Sequence, residues 1–146
     1  MTLTNHLLTG AAISKFMPWP IALPIAFASH FVLDALPHFG FKTLVGRKEH
    51  KILMASVVIL DVVAAVLISV WLIASGHSSR FFVGVVAYSP DLLWIYRFTV
   101  EEKFGKLTPT KGNRFIQFHV NIQKYERIWG GFVEVFYAAI LLAIVR

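Results

Sequence analysis

His30, Asp34 and His38 stand in the segment Ser29-His-Phe-Val-Leu-Asp-Ala-Leu-Pro-His38. Their spacing is i, i+4, i+8, so on a continuous helix the three side chains share one stripe. A His followed four residues later by an Asp lets donors from adjacent turns grip one ion. Pro37 loosens the last turn and swings His38 either towards that site or away from it. A single His on an apolar face is ordinarily a satisfied core residue. Three ionisable groups on one stripe of an apolar helix are harder to accommodate. Even on a lenient insertion scale, a bare Asp at the centre of a membrane helix costs roughly 2.5–3.5 kcal/mol. The stripe therefore reads as a metal or catalytic site, with a structural polar network as the alternative.

Three more acids interrupt apolar runs: Asp61 in Val-Val-Ile-Leu-Asp, Asp91 in Ala-Tyr-Ser-Pro-Asp, and Glu134 in Gly-Gly-Phe-Val-Glu. No Lys or Arg lies deep in those runs, and Arg97 falls close to a helix end. Acids in such surroundings need protons, a cation or one another. With histidines beside them, a divalent cation is the simplest partner. The mixed N/O donor set suits zinc first, and also manganese or iron. For Asp61, a protonated or helix-linking role is an equal alternative. His6 returns to the same site if its segment is re-entrant, and His119 lies where the site would open. His50 and His77 fall in loops.

The elements that must position these groups are apolar. Of 146 residues, 57% are hydrophobic and 15% charged, against about 45–50% and about 25% in an ordinary soluble domain. The mean hydropathy is +0.67. A chain this short forms one domain and cannot hide so much apolar surface from water. The expected fold is an all-α integral membrane protein, one transmembrane helical domain over 1–146. Four helices are expected at about 17–36, 52–74, 81–98 and 129–145. Ahead of them, His6 to Ile13 reads as a short half-helix or re-entrant piece. Nothing at the amino terminus has the pattern of a secretory signal. No cysteine is present, so disulfides and thiolate metal sites drop out.

The net charge of +6 is spread over loops, which argues against nucleic acid as partner. Lys42, Arg47, Lys48 and Lys51 lie in one loop; Lys103, Lys106, Lys111, Arg114, Lys124 and Arg127 lie in another. With four crossings both fall on one side, which the positive-inside rule makes cytoplasmic. The expected location is the cytoplasmic (inner) membrane, multi-pass. Lys106 to Gly112 reads as a turn. After it, Phe115, Phe118, Ile122 and Tyr125 recur at helical spacing, an amphipathic segment at about 113–127. It lies either in the headgroup region or against the bundle. Counted from the cytoplasmic ends at ~1.5 Å per residue, Asp34 is roughly 6 Å deep, Glu134 about 9 Å, His30 and Asp91 about 12 Å, and Asp61 about 15 Å. A shared polar site in the cytoplasmic half follows.

The amino-terminal His6-Leu-Leu-Thr-Gly, the Ser29-His30-x-x-x-Asp34 and the Pro90-Asp91 together resemble the bacterial membrane-bound metal-dependent hydrolases. That family is thought to be distantly akin to zinc-dependent phospholipase C and the fungal single-strand nucleases. The resemblance covers mainly the first forty residues and a patch around Asp91. It implies His6, His30, Asp34 and Asp91 as metal ligands for one or two ions. The chain departs from the family pattern in that its Pro-Asp follows the His-x-x-x-Asp pair and has no His shortly after it. The expected activity is hydrolysis of a phosphoester or ester, with a membrane lipid at the cytoplasmic headgroup level as the first candidate. Asp61, with His38 and His119, would serve as the catalytic groups, Asp61 taking the proton of an activated water. The rival reading is a non-enzymatic membrane cation-binding or transport protein, which at this size would form a homo-oligomer. A third is an assembly subunit whose polar groups only lock helices together.

Overall fold

The computed structural model describes residues 1–40, 48–93 and 114–146. The basic residues Lys42, Arg47, Arg97, Lys103, Lys106 and Lys111, and the expected turn at 106–112, lie outside these. Among the described residues the fold is helical throughout, with no strand. Its helices are α1 (Leu3–Phe16), α2 (Trp19–Asp34), α3 (Lys48–Ala74), α4 (Ser78–Tyr88), α5 (Arg114–Ile122) and α6 (Gly130–Val145). Two single turns of 3₁₀ helix extend them: Ser89–Asp91 after α4 and Gln123–Tyr125 after α5.

The amino-terminal segment is more than a half-helix: α1 is the centre of the bundle. Every residue from Asn5 to Ala12 is buried, and α2, α3, α4 and α6 all pack on it. The crossing with α4 is possible because both helices carry glycine there. A Cβ at Gly10 would lie 2.5 Å from the Val83 carbonyl oxygen and 2.7 Å from Gly84 Cα. A Cβ at Gly84 would lie 2.7 Å from the Leu7 carbonyl oxygen. Backbones meet directly, as small residues allow between helices in an apolar medium. Alanines do the same for α2 on α4, where Ala22 and Ala26 bury against Val83 and Ala87.

The far end of the bundle is a dry cluster of Leu8, Ala11, Ala12, Leu72, Leu141 and Val145. It is closed by cations on helix carbonyls: Lys15 Nζ donates to Ile144 O at 2.6 Å and Arg80 to Val145 O at 2.7 Å. Both satisfy orphan acceptors at the negative end of α6. Nearby, α3 stops at Gly76, whose φ of 77° permits the paired bonds His77 N to Leu72 O and Gly76 N to Ile73 O.

The outer faces are apolar. Trp19, Ile21 and Val32 on α2, Leu60, Leu67 and Val70 on α3, and Phe132, Val135 and Phe136 on α6 are all exposed. Among the described residues one helix, over Ala55–Ala74, is long and apolar enough to cross a membrane; α2 and α6 are apolar but shorter. The expected span at 17–36 ends early, because the chain leaves the helix at Asp34, three residues before Pro37. The expected span at 81–98 is interrupted at Tyr88 by the turn that carries Pro90, and 94–98 lie outside the described residues.

Candidate metal centre

Asp34 is the last residue of α2 and is fully buried. Side chains from its own helix and from several others deliver nitrogen or oxygen atoms to its carboxylate. From α2 itself, one turn back, His30 Nε2 lies 3.3 Å from Asp34 Oδ2. From α5, His119 Nε2 lies 2.8 Å from the same oxygen. From α1, His6 Nε2 lies 3.2 Å from Oδ1. The 3₁₀ turn after α4 places Asp91 Oδ1 3.6 Å from His30 Nε2 and 3.9 Å from His119 Nε2. The turn after α5 brings Gln123, whose Nε2 donates to Asp34 Oδ2 at 2.9 Å. The Met1 ammonium also donates to Asp34 Oδ1.

Donor atoms of His30, Asp34, Asp91 and His119 all lie within 4.8 Å of one another, so this cluster could hold a metal ion. The separations suit one. At bond lengths of ~2.0–2.1 Å, neighbouring ligand atoms of a tetrahedral ion stand about 3.3 Å apart. The pairs His30 Nε2–His119 Nε2 at 3.0 Å and His30 Nε2–Asp34 Oδ2 at 3.3 Å come close to that.

The tautomer of His30 points the same way. Its Nδ1 lies 3.0 Å from the Ala87 carbonyl, which can only accept, so Nδ1 carries the proton. Nε2 is therefore the His30 atom turned into the cluster, 3.3 Å from Asp34 Oδ2 and 3.6 Å from Asp91 Oδ1. A backbone carbonyl fixing the outward ring nitrogen is the usual support of a metal-ligating His. Nδ1 of His6 is buried without a hydrogen-bond partner, so that ring is incompletely satisfied by the protein alone. Its ring stacks on His30 with centroids 4.0 Å apart, which holds both Nε2 atoms on one side. Asp91 is 23% exposed while the His6, His30, Asp34 and His119 side chains are 0–3% exposed, so the cluster is reached from the Asp91 side.

His6, His30, Asp34, Asp91 and His119, all singled out from the sequence, are thus brought together. His119 stands among the potential ligands, whereas its sequence position suggested a catalytic group. His38 and Asp61 do not join them. The stripe predicted through His38 ends because α2 ends. Leu36 N turns back to Leu33 O, and His38 O accepts Arg127 N at 2.8 Å, which carries the segment towards α6. His38 Nδ1 sits 2.7 Å from Leu36 O and its Nε2 3.9 Å from Glu126 Oε1. Asp61 instead holds the start of α1, where its Oδ2 accepts Leu3 N at 2.7 Å and its Oδ1 accepts Thr4 N at 3.1 Å. It caps α1 from α3, since Thr2 at the N-cap position makes no side-chain capping bond and is hydrogen-bonded to Glu134 instead. Glu134 accepts Phe39 N at 3.2 Å and pins the chain after α2 to α6.

Gln123 escaped sequence reasoning, although it stands four residues after His119 and so shares its helical face. The Ala87 carbonyl left no sequence signal, because any residue carries one. Against protein-family models, curated proteins and solved structures, the chain has no match.

Proposed function

We propose that this protein is a membrane-embedded, metal-dependent hydrolase acting on a phosphoester or ester of a lipid at the cytoplasmic headgroup level. The reading rests on one observation above all. Three histidine Nε2 atoms, from α1, α2 and α5, converge on the Asp34 carboxylate, with the Asp91 carboxylate from the turn after α4 beside His30. His30 Nδ1 is already used on Ala87 O, which leaves its Nε2 facing both carboxylates at ligand-like separations. A cation completes such a set. His30, Asp34, Asp91 and His119 would hold it, with His6 beside them. The N/O donor set favours zinc over manganese or iron.

When bound, the ion supplies Lewis acidity towards a phosphoryl or carbonyl oxygen and towards water. The protein contributes placement. Ala87 O holds the His30 ring, Gln123 Nε2 orients Asp34 through Oδ2, and Asp91 occupies the reachable rim. The apolar faces of α2, α3 and α6 and the span Ala55–Ala74 support placement in a bilayer, with the chain crossing four times and its basic loops cytoplasmic. Those loops would attract anionic headgroups.

The test is elemental analysis of detergent-purified protein, followed by hydrolysis of phospholipid in proteoliposomes. Stoichiometric divalent metal and chelator-sensitive hydrolysis are expected. Metal without hydrolysis of any lipid ester, together with metal flux across the bilayer, would move the assignment to a transporter.

A further inference from the structure

A zinc ion with four protein ligands has a filled tetrahedral shell, the pattern of structural sites; sites that act on a substrate keep one position open. His30, Asp34, Asp91 and His119 supply four donors within reach of one ion. For hydrolysis one of them has to leave. Three of the four are held by the bundle. His30 and Asp34 sit on α2, which packs through Ala22 and Ala26 on Val83 and Ala87 of α4. Ala87 O also holds the His30 ring at 3.0 Å. Asp91 closes the turn that follows α4, next to the buried Pro90. His119 comes from α5, which is attached differently.

α5 and the 3₁₀ turn after it form an arm over residues 114–125, about 18 Å long. Its base is anchored. Arg127 N donates to His38 O at 2.8 Å, and a Cβ at Gly130 would lie 2.2 Å from the His38 carbonyl carbon. Between base and arm, Glu126 breaks the helix with φ −57° and ψ 127°. Along the arm, Phe115, Phe118 and His119 stand at i, i+3 and i+4 and rest on Phe31, with ring centroids 5.5–5.8 Å away. Rotation about Glu126 would withdraw His119 and Gln123 together and leave His30, Asp34 and Asp91 in place.

Arg114, Phe118, Lys124 and Tyr125 are exposed on this arm, and residues 114–125 include no acid. Basic and aromatic side chains on one short helix suit an anionic lipid surface, with cations among the headgroups and rings at the acyl boundary. Lifted from Phe31, the Phe115 and Phe118 rings would stay in apolar surroundings there. We propose that α5 is an autoinhibitory lid. Docked, it closes the coordination of the ion with His119; when the arm engages anionic headgroups, His119 is lifted away and that position opens, with the ion still held by His30, Asp34 and Asp91. The proposal deepens the hydrolase reading above and rests on its metal centre and membrane placement.

The chain has no cysteine, so paired spin labels can be placed at single sites. Asn121→Cys with Phe16→Cys spans the arm and the far end of α1, and Ile59→Cys with Phe16→Cys spans the bundle alone. Pulsed electron–electron distances are read on the zinc-loaded full chain in nanodiscs of phosphatidylcholine or of phosphatidylglycerol, with bound zinc measured on the same samples. We expect the arm distance to shift in phosphatidylglycerol, the bundle distance to stay, and bound zinc to be unchanged. His119→Ala, loaded at saturating zinc, should hold zinc and show the shifted arm distance in both lipids. Arg114→Glu with Lys124→Glu should abolish the shift. The same arm distance in both lipids, a shift seen only as zinc is lost, a bundle distance that moves with it, or a His119→Ala chain that takes up no zinc would overturn the lid. A wild-type chain that binds no zinc would overturn the lid and the hydrolase reading together. The expected shift without hydrolysis of any phospholipid would support the lid and count against hydrolysis alone.

Discussion

Asp34 Oδ2 and His119 Nε2 lie 2.8 Å apart although 85 positions separate them in the chain. The contact joins the end of a core helix to the short α5, which also packs Phe115 and Phe118 on Phe31. An ion shared between them would tie α5 to α2.

Asp34→Ala should therefore remove bound metal, and His30→Ala or His119→Ala should remove most of it. Because an ion that binds only the folded state adds RT ln(1 + [L]/Kd), about 2.7 kcal/mol at 100 times Kd, chelation should lower the melting temperature of wild type. The same chelator should leave Asp34→Ala unmoved. Wild-type metal content in all three variants, by elemental analysis, would refute the centre.

The cap on α1 gives a separate expectation. Asp61→Asn weakens two bonds to the first turn of α1 and Asp61→Ala deletes them. Losing an N-cap of this kind costs about 0.5–2 kcal/mol. Asp61→Ala should lower thermal stability and keep metal binding, since α1 still delivers His6. Loss of hydrolysis in Asp61→Asn at full metal content and unchanged stability would return Asp61 to the chemistry that its sequence position suggested.

Packing of α1 on α4 should tolerate nothing larger than glycine at the crossing. Gly84→Val places atoms inside Leu7, whose carbonyl is already 2.7 Å from a Cβ there. Overpacking typically costs about 1–3 kcal/mol. The displacement should also move Ala87 and, through its carbonyl, His30, so metal affinity should fall with stability. Unchanged affinity in a destabilised Gly84→Val would separate the support of His30 from the crossing.

The parts of this site that were legible in the sequence are the local ones. His30 and Asp34 are one helical turn apart, and an acid after Pro90 in an apolar run is visible without a fold. The four-residue interval from His119 to Gln123 is equally local, but a glutamine amide carries no charge to single it out. The central place of α1 was less visible: its burial depends on Gly10 meeting Gly84, a pairing of residues far apart in the chain. His38 shows the limit most clearly. Pro37 announces that the helix ends, but the direction of the chain afterwards is set by Arg127 N on His38 O and by Phe39 N on Glu134. Neither contact has a local signature.

Membrane topology can be tested at single sites. Cysteines replacing Lys48 and Gly112 should react with an impermeant maleimide only from the cytoplasmic side. A cysteine replacing Ser78, next to the α3–α4 turn, should react only from the opposite side. Labelling of the Lys48 and Gly112 positions from opposite faces would eliminate the four-crossing arrangement.

Enzyme and transporter make opposite demands on the far half of the bundle. A conducting path for a divalent cation needs polar groups along its length, since a bare ion in an apolar medium is prohibitively costly. Past His6 the described core runs through Leu8, Ala11 and Ala12 to Leu72, Leu141 and Val145, and its polar groups there, Thr9 Oγ1 and the Tyr137 hydroxyl, bond each other at 3.1 Å. At its end stand Lys15 and Arg80, both held on α6 carbonyls, whose positive charges oppose a leaving cation. Hydrolysis at the cytoplasmic headgroup level needs only the half that contains Asp91. Proteoliposomes should accordingly show no zinc uptake above protein-free vesicles, and Lys15→Ala with Arg80→Ala should not open one. Hydrolysis of phospholipid in the same vesicles should disappear in Asp34→Ala and survive in the Lys15 and Arg80 variants. Zinc flux that depends on Asp34 would reverse the conclusion, because the cluster would then be a station on a path.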